Sequence, residues 1–306
     1  MKHLSPQMED YITMALGGNP VFNGKNFRTA ARGNNPAAHG STALAGQSAM
    51  NQQQLENLYN QPSAGPAETG RMTFDDVIVK TIATIGMVLI GAAVPAFLLP
   101  GLALPLMVIG LIGGFVLGLV NAFKREPVPA LILAYGFLEG LFLGGLTMFL
   151  ENMFPNIALQ AIVGTLTVFA VTLLLFKSGK VRATPKAMKI FMIMMIGYAA
   201  FSLVNLGLVL FGATESMFGV RGAGIPGTEG MFGFENGIPW GLVIGLLAIG
   251  LAAFSLVIDF TMISEGVKNG APRKYSWTAA FGLTVTLVWL YVEILRLIAI
   301  VRGSSE

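Results

Sequence analysis

Cysteine is absent from this 306-residue chain, which excludes disulfides, thiolate metal sites and a cysteine nucleophile. Histidine is nearly absent: His3 and His39 both lie close to the N-terminus, so no histidine-based metal site or catalytic triad is available elsewhere. Charge is scarce as well. Asp, Glu, Lys and Arg make up 11% of the residues, where soluble domains carry about 25%. The formal net charge of +3 is too small to point to nucleic acid. The opening stretch MKHLSPQMEDYITMALGG has no continuous apolar run behind its basic residues and does not read as a secretory signal. What the chain has in abundance is hydrophobic residues, 54% of the total, with a mean hydropathy of +0.69. That is the composition of a membrane protein.

Residues 1–70 are the exception. Tracts such as ARGNNPAAHGSTALAG and NQQQ cannot bury enough apolar surface to offset chain entropy, and they predict a disordered tail. Within it, GGNPVFNGKNFR (17–28) carries Phe22 and Phe27 and either docks somewhere or is simply tail. Residues 71–306 form the second region. Seven apolar stretches follow one another, near 76–98, 101–122, 128–150, 157–176, 187–211, 238–262 and 276–301. Each approaches the ~20 residues a helix needs to cross a bilayer. The fold class is therefore all-α, a seven-helix transmembrane bundle. Thr73 is placed to cap the first helix, with Asp75 and Asp76 in its first turn, where the helix dipole favours anions.

Orientation follows from the basic residues. Lys124, Arg125, Lys177, Lys180, Arg182, Lys186, Lys189, Lys268, Arg273 and Lys274 follow helices 2, 4 and 6, while the other side holds only Arg221 and Arg302. The N-terminus is expected in the cytoplasm and the C-terminus outside. The Gly-rich loop 212–237 then lies outside, as a lid or an unstructured connector. Glycines recur four residues apart at Gly110, Gly114 and Gly118, at Gly136, Gly140 and Gly144, and at Gly241 and Gly245. Small residues at this spacing let helices approach closely in lipid, which predicts helices 2, 3 and 6 in the bundle interior. The stretch FMIMMIGY (191–198) reads as lipid-facing or core filler, not as a metal site.

Four ionisable residues fall inside the spans: Glu139, Asp259, Glu293 and Arg296. Such groups are expensive in lipid and default to an ion or proton path. Glu293 and Arg296, at i,i+3, also fit a plain ion pair. Glu139 borders the glycine stripe of helix 3 and is a candidate proton- or cation-responsive site, or else a structural hydrogen-bond acceptor. Asp259 falls near the cytoplasmic end of helix 6, where Lys268, Arg273 or Lys274 could neutralise it.

With these residues in view, the sequence resembles the Bax inhibitor-1/YccA family, the transmembrane Bax inhibitor motif proteins. The resemblance rests on the seven weakly charged spans, FSLVIDFTMI in helix 6, and the closing LTVTLVWLYVEILRLIAIV. GNPVF and MTFDDVIVKT look like the bacterial branch with a long polar N-terminal tail. The resemblance implies six helices around a central last one, in a bacterial plasma membrane, acting as a pH-sensitive calcium leak. It implies no bound cofactor, calcium being the permeant ion. In the family, two aspartates on the last two helices share a proton-sensitive interaction. The first carries over onto Asp259. The second falls on Glu293 if LYVE is matched, or on Thr286 if the closing Leu-Arg is matched without gaps. Depth separates the two: at 1.5 Å per residue, Glu293 and Asp259 come out roughly 20 Å apart along the membrane normal, and Thr286 lies nearer. Asp259 then reads as a cytoplasmic-mouth residue balanced by Lys or Arg, with Glu139, Glu293 and Arg296 as a separate polar cluster.

Two functions compete: a cation-permeable leak responsive to protonation of buried acids, and a non-transporting regulator. The regulator would bind other membrane proteins, such as a quality-control protease, through the 70-residue tail. An intramembrane enzyme is disfavoured, since only an acid pair could catalyse and no G-x-G-D-like stretch accompanies these acids.

Overall fold

The computed structural model describes residues 70–179, 181–214 and 216–304. The tail expectation for residues 1–70, including the GGNPVFNGKNFR element, falls almost wholly outside the described residues. Among the described residues, seven helices are long and apolar enough to cross a membrane. They are α1 (Phe74–Ala93), α2 (Ala103–Phe123), α3 (Pro129–Met153), α4 (Ile157–Lys177), α5 (Pro185–Leu210), α6 (Trp240–Lys268) and α7 (Ser276–Gly303). Thr73 caps α1 as the sequence implies, its hydroxyl accepting from the Asp76 amide at 3.1 Å. α1 runs on into a π-helical turn, Val94–Leu98, that contains Pro95. Proline has no N–H to give the regular ladder, and the wider turn absorbs that loss.

α7 is the central helix. It packs against α6, α1, α4 and α3, and a core of Leu256, Phe260, Leu283, Leu290, Ile294 and Leu295 forms between α6 and α7. The glycine stripe of α3 brings its backbone against that of α1. A Cβ on Gly140 would lie 2.8 Å from the Gly91 Cα, and one on Gly144 2.8 Å from the Ala92 Cα.

Helix 2 does not lie in the interior as expected. The buried share of its most apolar stretch is 11%, against 44% for α3 and α7. Gly110 and Gly114 do meet α3, but the other faces of α2 remain open. A glycine stripe specifies one close neighbour, not a central position. α5 is more peripheral still, with no buried residue at all, and Met192, Ile193 and Ile196 are exposed, consistent with a lipid-facing stretch.

One end of the bundle carries the residues around 124–128 and 269–275 and is called the basic end below. There Arg273 Nη2 pairs with Asp76 Oδ1 at 2.8 Å, and Lys274 Nζ pairs with Glu126 Oε1 at 2.6 Å. The chain entering α1 is tied to the same loop, with the Met72 amide donating to the Ala271 carbonyl at 2.7 Å.

Candidate functional site

The intramembrane polar residues fall into three separate places. The first is the α6–α7 interface. The Thr286 hydroxyl donates to Asp259 Oδ2 at 2.8 Å, and Ser255, one turn earlier on α6, lies 3.4 Å from the same hydroxyl. Gly282, one turn before Thr286, leaves room for Asp259: a Cβ there would sit 3.7 Å from Oδ1. A threonine is at home in such a position, because Thr286 is itself buried and directs its only polar atom into the interface. Thr286 is thus the α7 residue that meets Asp259.

This geometry corrects two expectations. Asp259 is not balanced by the loop cations, for Arg273 is taken by Asp76 and Lys274 by Glu126. No ion pair joins Lys268 to Asp259 among the described residues. The length of α6 is the second. α6 continues to Lys268, six residues past the expected end at 262, which puts Asp259 about 14 Å inside the helix end at 1.5 Å per residue. With Asp259 level with Thr286, the seven residues from Thr286 to Glu293 correspond to about 10 Å, half the separation inferred from the sequence. Glu293 still lies beyond Asp259's reach.

The second place is nearer the opposite end. Glu293 is 2% exposed and is enclosed by donors. Arg296 Nη1 donates to Oε1 at 2.8 Å, and the Tyr198 hydroxyl makes a short hydrogen bond to the same oxygen. Arg221 Nη1 stands 3.4 Å from Oε2. Arg221 is itself 2% exposed, its Nη2 donating to Tyr198 and to the Ser202 hydroxyl at 3.0 Å, with its guanidinium over the rings of Tyr198 and Phe201.

The sequence reading took Arg221 for a loop residue and left out Tyr198 and Ser202. A signal for them did exist. Tyr198, Ser202 and Asn205 stand at i, i+4 and i+7, a polar stripe on one face of an otherwise apolar helix. Asn205 completes it by accepting from the Val220 amide at 2.8 Å and donating to the Phe218 carbonyl at 3.1 Å. Gly219 makes that approach feasible, with φ at +66° and no side chain where the Asn205 carboxamide sits. The stripe holds the short turn Gly219–Gly222, and the turn inserts Arg221 into the bundle.

The third place is Glu139. It does not join Glu293 and Arg296 in one cluster, contrary to the sequence expectation. Its carboxylate lies beside Gly114 of α2, where a Cβ would sit 3.1 Å from Oε1. Tyr135, one turn earlier on α3, is its polar neighbour. No hydrogen bond or ion pair joins it to Glu293 or Arg296 among the described residues. The lone acid at the α2–α3 contact and the paired acid on α7 are therefore distinct features. No group of three or more His, Cys, Asp or Glu side chains that could hold a metal occurs among the described residues.

Seven lipid-length helices with carboxylates held between them define a multi-pass membrane protein built around a polar α6–α7 contact. The model of the family described as Bax inhibitor 1 like matches residues 19–303, and the chain belongs to that family. Comparison with curated proteins returns no match.

Proposed function

We propose that this chain is a cation-permeable membrane protein of the calcium-leak kind, in which Asp259 is the group that meets the cation or a proton. The observation that supports this reading is the contrast in how the acids are satisfied. Asp259 has one neutral hydrogen-bond donor and no ion pair among the described residues, whereas Glu293 faces two guanidiniums. A carboxylate inside a bilayer is costly unless something neutralises it, and without a built-in cation that partner is a mobile one. Protonated, Asp259 keeps the Thr286 contact through its remaining acceptor capacity and loses its attraction for a metal cation. Glu139 is a second acid without an ion pair among the described residues and is assigned a secondary, proton-responsive role.

The excess of Lys and Arg on the side of the 2–3, 4–5 and 6–7 loops supports a cytoplasmic basic end, and the likeness of GNPVF and MTFDDVIVKT to the family's bacterial branch supports a bacterial plasma membrane. In that orientation Asp259 lies in the cytoplasmic half and Glu293 in the outer half. The alternative, a regulator that binds membrane proteins through residues 1–70, rests on the tail alone. Crosslinking with a tail-deleted control tests it, through loss of a reproducible partner.

The leak itself is tested in proteoliposomes loaded with a calcium-sensitive dye. Wild-type protein is expected to pass calcium above the empty-vesicle rate and to change rate between neutral and acid pH. Asp259→Asn is expected to lose most of the pH response and to stay near the wild-type acid limit, with the remainder of the response removed by adding Glu139→Gln. Glu139→Gln should retain flux with an altered pH response. Wild-type flux no faster than empty vesicles at both pH values overturns the proposal.

A further inference from the structure

Two guanidiniums share one carboxylate at the Glu293 cluster, so this part of the bundle carries a net positive charge. The two arginines differ in how they are used. Arg221 is fully enclosed and engages Glu293, Tyr198 and Ser202. Arg296 is one-third exposed and engages Glu293 through Nη1 alone; its Nε and Nη2 make no hydrogen bond among the described residues. Arg296 also lines a crevice of about 250 Å³ between α3, α7 and the segment before the Arg221 turn. The rest of that crevice is apolar, with Leu146, Phe149, Phe218 and Val292 among its walls. The nearest acid along α3, Glu151, is engaged elsewhere: its carboxylate accepts from the Asn156 and Ala158 amides, at 2.5 and 3.0 Å, and caps α4.

An apolar slot with one under-used guanidinium at its edge, in a helix bundle that crosses lipid, has the recognition chemistry of an anionic amphiphile. Arginine binds phosphate and carboxylate through parallel N–H donors, and the two nitrogens left over on Arg296 supply such donors. The acyl chain would occupy space lined by leucine, valine and phenylalanine, as ligand clefts commonly are. Neutralising the excess charge supplies the selectivity, since a zwitterionic lipid brings no net anion. We infer that the α3–α7 crevice binds one anionic lipid, its head on Arg296 and its chain along Phe149 and Val292. This is independent of the calcium-leak reading and stands or falls separately.

The experiment is native mass spectrometry of the full chain released from detergent, with dioleoyl phosphatidylglycerol titrated against dioleoyl phosphatidylcholine. Palmitate and inorganic phosphate serve as separate arms. Wild type is expected to retain one phosphatidylglycerol preferentially. Arg296→Gln should reduce that preference about tenfold, the weight of one charge-assisted contact. Arg296→Lys keeps the charge but not the paired donors and should fall between wild type and Arg296→Gln, and Val292→Phe should abolish retention by filling the slot while leaving Arg296 in place. In Arg296→Gln, Glu293 retains Arg221, which limits damage to the fold. Retention of palmitate in place of phosphatidylglycerol identifies a fatty acid as the anionic lipid and supports the site. Equal retention of both phospholipids with no uptake of palmitate overturns it, as does a phosphatidylglycerol preference unchanged in both Arg296→Gln and Val292→Phe. Uptake of inorganic phosphate with no lipid retained also overturns it.

Discussion

The two halves of α7 treat their acids in opposite ways. Toward the basic end, Asp259 of α6 meets α7 at Thr286 and receives one neutral hydrogen bond. Toward the other end, Glu293 receives Tyr198, Arg296 and Arg221, and both of its carboxylate oxygens are engaged. The same central helix thus faces a negative charge of α6 that lacks a cation at one level and a positive excess at another. A carboxylate satisfied from every side is part of the fold. One held by a single hydroxyl is still open to a proton or a metal ion. Under the proposed function, the identity of an acid's donors, and not its charge alone, is what singles out Asp259.

The largest expected effect tests the closed half. Glu293→Gln leaves the Arg221 guanidinium, 2% exposed, without its counter-charge. Removing one partner of a buried pair costs about 3–5 kcal/mol, and thermal unfolding in detergent should show it as the greatest loss among these variants. The double variant Glu293→Leu with Arg221→Met removes both charges and should recover most of that stability, because a buried pair is often replaceable by apolar residues. If the double variant is as unstable as the single one, the cluster does more than neutralise itself.

Thr286→Val comes next and acts on the open half. It keeps the shape of the side chain and removes the one hydrogen-bond donor that Asp259 has among the described residues, which should cost about 1–3 kcal/mol. Thr286→Ser restores the hydroxyl and should restore stability in the same unfolding measurement. Asp259→Asn is expected to be milder, within about 1 kcal/mol of wild type, because the amide oxygen still accepts from Thr286 and a costly charge is gone. The contrast between the two acids collapses if Asp259→Asn destabilises as much as Glu293→Gln.

The number, order and approximate limits of the helices were legible in the sequence, because a bilayer imposes length and apolarity on each span separately. The Glu293–Arg296 pair was legible for a similar reason: i,i+3 proximity is local. Contacts between helices were harder to read. The depth argument favoured Thr286 over Glu293 correctly, yet it overestimated the gap, since the polar residues after 262 hid the last turns of α6. Arg221 was missed because a lone arginine among glycines has no periodicity to read. Only the fold shows that the turn Gly219–Gly222 is pinned by Asn205 and directed inward. The position of α2 was misread because a glycine stripe records how closely one neighbour approaches and not how many neighbours there are.

The smallest effect belongs to the surface pair at the basic end. Lys274 donates to Glu126 and holds its carboxyl below the ordinary glutamate range. A carboxylate lowered in this way contributes stability that is present above its unfolded value, about 4.3, and lost only as the pH falls through the folded value. Between neutral and mildly acid pH the pair therefore stays ionised and its contribution constant. Both side chains are exposed, and exposed pairs add little to stability. Glu126→Gln should unfold at nearly the wild-type temperature, and the two profiles should run parallel across that pH interval. Any pH dependence of stability or flux seen there in wild type would then come from groups other than this pair, and the Asp259 and Glu139 variants separate the acids between the helices from His3 and His39. Divergence of the two profiles within the interval would instead place the titration on the surface, and the distinction between Asp259 and Glu293 would lose its bearing on the pH response.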